Sequence, residues 1–149
     1  FINVDNNDSI NHKTIKTWHN QGGITFKGKT DNIKSVLESA HCFVLPTYYP
    51  EGTPKSLLEA GAMQLPIITT NSSGCRDVVT NGVTGFLCKE KSSRDLYLKM
   101  KAMLELSSDE NQHMGRLARN RVKKLFDDKI VNEKYLNALN KIYQDWKRS

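Results

Sequence analysis

Two glutamates, Glu51 and Glu59, stand with seven residues between them in the stretch "YYPEGTPKSLLEAGAMQLPIITT", Tyr48 to Thr70. Thr53 can act as N-cap and Pro54 as the first helical residue, where a missing N–H costs nothing. The amides near Lys55 and Ser56 then have no helical acceptor. With the positive end of the helix dipole they form a place for an anion, typically a phosphate. Lys55 adds a cation if it points inward. Glu59 follows Thr53 by six positions, roughly 9 Å along a helix at about 1.5 Å per residue. Glu51 lies on the other side of the helix start. Carboxylates accept hydrogen bonds from hydroxyls. A carboxylate, an anion cradle and a second carboxylate match a ribose, a diphosphate and a sugar, the order found in a nucleotide sugar. Two other readings stay open. Both glutamates can be solvated surface residues, and paired carboxylates also hydrolyse glycosides at separations of about 5 to 9.5 Å. The phosphate-type helix start speaks against the hydrolase.

These residues need elements to hold them. "FINV" reads as a strand and "DNNDSIN" as a loop. "HKTIKTWHNQGG" reads as a helix with Ile15 and Trp18 on one face and Gly22 as C-cap. "ITFKG" is expected to be a strand ending at Gly28. "TDNIKSVLESA" reads as a helix capped by Asp31, with Ile33, Val36, Leu37 and Ala40 on its inner face. "CFVLP" and "PIITT" are apolar runs suited to strands buried on both sides. Between them runs a helix from Pro54 to about Gln64. "NSSGCRD" reads as a loop, "VVTNG" as a helical turn closed by Asn81-Gly82, and "TGFLC" as a short strand. Ser92 and Asp95 resemble a capping box before "LYLKMKAMLEL". The chain from Glu110 onward reads as helix. Leu136, Leu139, Tyr143 and Trp146 form a stripe there suited to core packing. Alternating helices and buried strands predict an α/β fold, a doubly wound, Rossmann-like parallel sheet followed by C-terminal helices. Ligands of such sheets bind beyond the carboxyl ends of the strands. "CFVLP" runs into "TYYPEGTP" there, and "PIITT" into "NSSGC".

The 149 residues suffice for one domain with a real core. Hydrophobic residues make up 38% and charged residues 26%, a globular rather than disordered balance. No apolar run approaches the roughly 20 residues of a membrane span. Phe1 opens directly on an apolar run, so the chain is expected to be a piece of a longer protein. The net charge of +6 suits an anionic partner or simply a solvated lysine-rich surface. A nucleic-acid-binding or non-enzymatic nucleotide-binding α/β module is the alternative reading. Without aromatic residues interleaved in a basic stripe, nucleic acid is not the expected partner. Cys42, Cys75 and Cys88 form no CxxC pair. Reduced thiols fit better than a disulfide framework, and no metal cluster or cofactor is expected.

The run "PEGTPKSLLEAGAMQLPIITTNSSGCRDVVTNGVTGFL" closely resembles the C-terminal nucleotide-sugar-binding domain of retaining GT-B glycosyltransferases, the family 4 group. "GGITFKGKTDNIKSVLESAHCFVLP" fits the same pattern, and the resemblance spans Ile24 to about Leu104. It implies that residues 1–149 are the donor-binding half of a GT-B fold. The N-terminal acceptor domain and the first strand and helix of this domain would lie outside the chain, along with the family's basic diphosphate ligands. The isolated chain is then expected to transfer no sugar. Glu51 would contact the donor sugar and act in catalysis. Glu59 would bind the ribose. Gly52 and Thr53 would face the diphosphate and sugar, with Lys55 beside them. Gly28 and Lys29 would lie against the base. The pair Gly74-Cys75 resembles members that use UDP-sugars; packing at a corner is the favoured role of Cys75. The resemblance further implies a glycan or lipid-linked glycan acceptor, surface-polysaccharide or lipid-linked glycan synthesis, and a cytoplasmic location with peripheral association at the inner face of the membrane.

Overall fold

A computed structural model describes residues 10–148. "FINV" lies outside them. The chain forms two compact units, residues 1–33 and 34–149. In the first, α1 runs His12–Asn20 and buries Ile15, while Trp18 remains 40% exposed. Asn11 caps it, its side chain accepting from the Lys13 amide at 2.8 Å. Gln21 occupies the C-cap, and Gly22 follows in the left-handed region at φ +76°. "ITFKG" is not a strand. Ile24 and Phe26 are 43% and 41% exposed. Phe26 meets the His12 ring edge-on, at 6.1 Å between centroids. An alternating pattern makes a strand only where a neighbour supplies the ladder.

Helix α2, Ile33–Glu38, begins one residue later than an Asp31 cap requires. Asn32 precedes it and donates its amide to the Thr30 hydroxyl at 3.1 Å. The second unit is built on three parallel strands, β1 Phe43–Leu45, β2 Ile67–Thr70 and β3 Gly85–Cys88, in the order β1-β2-β3. β2 is central and buried throughout. β1 is half-buried, with Val44 37% exposed, because it borders this sheet among the described residues. Helix α3, Lys55–Ala62, joins β1 to β2, and α4, Ser73–Val78, joins β2 to β3. The helix after β2 therefore lies in "SGCRDV", where a loop was expected, and residues 80–84 form the turn. Then follow α5 Ser93–Leu104, α6 Ser108–Phe126 and α7 Asp128–Arg148.

Side chains alternate across a strand. Ile68 packs with Met103 of α5 and Met114 of α6, joined by Cys42, Phe86, Leu96 and Leu106. Ile67 is therefore turned to the opposite face; it too is buried, as are Leu57, Val78 and Val79 of the connecting segments. Helix α3 ends in a Schellman motif. The Leu65 amide donates to the Ala60 carbonyl and Gln64 to Gly61, with Gln64 at φ +60°. Arg119 of α6 donates to the Ala62 carbonyl at 2.6 Å. Arg121 forks onto the α4 carbonyls of Val78 and Asp77 at 3.0 and 2.8 Å. Gly61 leaves room for Val122, and Gly115 for the Gln64 carbonyl. So α6 holds α3 and α4 from behind, at the ends opposite their N-termini.

The stripe on α7 is not core. Leu136, Leu139 and Trp146 are 59%, 60% and 71% exposed, and α7 buries no residue. Helical period shows that a face is apolar but not what covers it.

Candidate functional site

The loop 46–54 leaves β1 at its carboxyl end and delivers the chain to α3. Its first hold is a pair of buried threonines. Thr69 donates its hydroxyl to the Leu45 carbonyl at 2.8 Å, and Thr70 donates to the Thr47 carbonyl. Thr47 in turn donates its hydroxyl to Glu51 Oε1 at 2.9 Å. The Glu51 carboxylate thus has one oxygen tethered while the residue stays exposed to solvent. This Thr–Thr–Glu relay was missed in the sequence. Its signal is a buried strand ending in two threonines.

The second hold is Gly74 in α4. A Cβ at that position would lie 2.1 Å from the Gly52 carbonyl oxygen and 2.9 Å from the Thr53 nitrogen. Only glycine lets α4 come against the loop this closely. The Gly74-Cys75 pair therefore has a structural cause: Gly74 is the contact, and Cys75 is a buried neighbour whose sulfur lies 3.9 Å from the Thr70 hydroxyl.

Helix α3 starts one residue later than the sequence suggests. Pro54 has φ −64° and ψ 123°, so it occupies the N-cap position, and Thr53 makes no cap bond. Proline fixes φ but leaves ψ free, and here ψ is extended. The Lys55 and Ser56 amides have no backbone acceptor among the described residues, whereas Leu57 donates back to the Pro54 carbonyl at 3.1 Å. The anion-type helix start is therefore present, shifted by one position. Glu59 lies one turn further on, with its side chain 36% exposed. Lys55 does not point inward. Its side chain is 88% exposed and its ammonium lies 3.8 Å from Glu59 Oε1, an i,i+4 surface pair of small energy.

Glu51, Gly52, Thr53, Lys55 and Glu59 thus share one loop-and-helix segment. Gly28, at φ +71°, and the exposed Lys29 belong to the first compact unit. Among the described residues no three His, Cys, Asp or Glu side chains gather as a metal site, and no helix is long and apolar enough to cross a membrane. Burial pushes the Cys42 thiol up to about 12. It also raises that of Cys88, with the Asp95 carboxylate adding to the effect.

Residues 8–121 match the glycosyl transferases group 1 family. The chain belongs to that family, and its fold is that of the C-terminal domain of a GT-B glycosyltransferase. It is 30% identical over 128 residues to N,N'-diacetylbacillosaminyl-diphospho-undecaprenol alpha-1,3-N-acetylgalactosaminyltransferase of Campylobacter jejuni, covering 85% of this chain and 33% of that one. It is 31% identical over 123 residues to the capsular polysaccharide biosynthesis glycosyltransferase CapM of Staphylococcus aureus, covering 81% and 31%. Anabaena Alr3699/HepE, solved in complex with UDP, superposes with a TM-score of 0.78 at 19% identity, over 87% of this chain and 35% of that one. The C-terminal domain of LpcC, a glycosyl transferase group 1 family protein of Francisella tularensis, gives 0.64 at 20%, over 78% and 62%. The chain spans about a third of the curated relatives it matches.

Proposed function

We propose that this chain is the donor-binding part of a retaining glycosyltransferase that uses a nucleotide-diphosphate sugar, with UDP as the nucleotide. One observation supports this most. Two glutamates on a single segment flank a helix start whose Lys55 and Ser56 amides are open to an anion. Glu59 receives the ribose hydroxyls. The amides of Lys55 and Ser56, beside Gly52 and Thr53, receive the diphosphate. Glu51, already oriented by Thr47, meets the sugar, where a carboxylate stabilises positive charge developing at the anomeric carbon. No step needs a metal ion. The whole protein would act in surface-polysaccharide or lipid-linked glycan synthesis, at the cytoplasmic face of the membrane. Its acceptor would be a glycan or lipid-linked glycan held outside this chain. Relatives and neighbours named for these activities and for UDP support the reading.

Calorimetric titration with UDP tests it. Binding by this chain is expected near millimolar, about −4 kcal/mol, since the helix start supplies only about half a unit of charge. Glu59→Ala is expected to weaken binding by about 1.5 to 3 kcal/mol, the range for a hydrogen bond to a charged group. Unchanged UDP affinity in that variant would remove Glu59 from the ribose. Binding that ignores Glu59 and collapses with salt would instead favour the nucleic-acid module.

A further inference from the structure

A cavity of about 280 Å3 opens over the carboxyl ends of all three strands. None of the residues assigned to the donor lines it. Its floor is mostly apolar, made by Cys88 at the end of β3 and Leu96 of α5 beside the buried Thr70 at the end of β2, with the exposed Pro46 after β1 at its edge. Its rim is cationic, made by Lys89 and Lys91. Among the described residues neither lysine is in an ion pair: the three pairs present are Lys34–Glu38, Lys55–Glu59 and Lys101–Glu105. Of the two nearby carboxylates, Glu90 stands between the lysines in the sequence but does not line the cavity, and Asp95 is occupied differently. It accepts from the Lys89 amide at 2.7 Å, which leaves the expected capping box with Ser92 only half made.

The Lys91 ammonium is held in place. It lies 4.8 Å from the centroid of Tyr48, and that ring is stacked on Tyr49 at 4.7 Å. Lys91 itself has φ +53°, in the left-handed region. Ser92 and Ser93 bring hydroxyls to the same wall. Small-molecule sites run from about 300 to 1,000 Å3, so this cavity takes one ring-sized group and not a nucleotide.

We propose that the cavity is a second ligand site, for a small phosphate monoester on a hydroxylated skeleton, a phosphorylated sugar. Two unpaired ammonium groups meet the phosphate, serine hydroxyls meet ring hydroxyls, and the apolar floor meets the ring. The phosphate follows from the cations alone; the choice of a sugar as skeleton rests on the donor reading.

Amide NMR of the whole chain tests this with three probes: glucose 1-phosphate, inorganic phosphate and glucose. Glucose 1-phosphate is expected to shift the amides of residues 88–93 saturably, inorganic phosphate more weakly, and glucose hardly at all. Lys91→Gln should raise the dissociation constant about tenfold while the protein stays folded, its melting curve still a single transition. Saturating UDP should shift residues 51–59 and leave glucose 1-phosphate binding intact. Shifts scattered over all lysines, displacement by UDP, or unchanged binding in a Lys89→Gln/Lys91→Gln variant would each overturn the site. Inorganic phosphate binding as well as glucose 1-phosphate would overturn the sugar. If UDP leaves 51–59 unmoved, the donor reading fails separately.

Discussion

Glu51 is held at two removes from the sheet. Thr70 fixes the Thr47 carbonyl and Thr47 fixes the carboxylate, so the geometry of a solvent-facing group depends on a buried hydroxyl. Gly74 sets the other side of the same loop. Gly74→Ala would place a methyl against the Gly52 carbonyl, where backbone must move. The expected cost is about 1 to 3 kcal/mol of stability, as for other overpacked sites. UDP binding should fall with it, because residues 51–53 move. Denaturant melts and UDP titration of the variant measure both; an unchanged melt would mean that the loop yields freely. The thiols make a second residue-scale prediction. With Cys42 pushed up to about 12, only about one molecule in ten thousand carries its thiolate at pH 8. Alkylation of native protein at that pH should be far slower at Cys42 than in the unfolded chain, and mass spectrometry after a timed iodoacetamide pulse reads it. Reaction at the unfolded rate would mean that β1 opens readily.

Helix α6 shows how an element behind α3 and α4 can govern the segments in front of it. Its arginines satisfy the C-terminal carbonyls of α3 and α4, and its Gly115, with Gly61 of α3, lets the two helices approach. Its own start is secured by a full capping box between Ser107 and Glu110. The Ser107 hydroxyl and amide hold the Glu110 carboxyl below the usual glutamate range. A carboxylate with a lowered folded-state pKa stabilises the fold above its unfolded value, and that contribution disappears as pH falls through the folded one. Glu110→Ala should therefore be less stable than wild type at neutral pH. The difference should begin to shrink near the ordinary glutamate value of 4.5 and vanish in stronger acid. Thermal melts of both proteins across that range give the answer; a difference constant with pH would show that only helix propensity changed.

On the scale of the whole molecule, stability is concentrated around β2 and its flanking helices, and α7 adds little. Leu57 is completely buried, whereas Leu139 is 60% exposed. Leu57→Ala is expected to cost about 2 to 5 kcal/mol. Leu139→Ala should stay within about 0.5 kcal/mol. Urea denaturation of the two variants compares them directly. Comparable losses would show that the α7 stripe is covered in solution.

The sequence alone determined the segments and their order from Phe43 to Phe126, α4 excepted, because caps, periodicity and apolar runs act over a few residues. Ser92 before α5, the apolar run "PIITT" and the helix behind Thr53-Pro54 are all of this kind. It also placed Glu51 and Glu59 about the start of one helix, since loop and helix are contiguous. A boundary slipped by a residue where Pro54 could take either of two roles, and the helix after β2 formed in the expected loop, where Ser72 opened α4. Tertiary structure alone decided what meets across long separations. Gly74 against Gly52, the arginines of α6 on α3 and α4, and the cavity joining Pro46 to Leu96 depend on strand pairing that no local spacing encodes. The same holds for what did not form. "ITFKG" has strand composition but no ladder among the described residues, and the α7 stripe has a core pattern but no core, because alternation and helical period fix which side chains share a face, while burial needs a second surface to meet it.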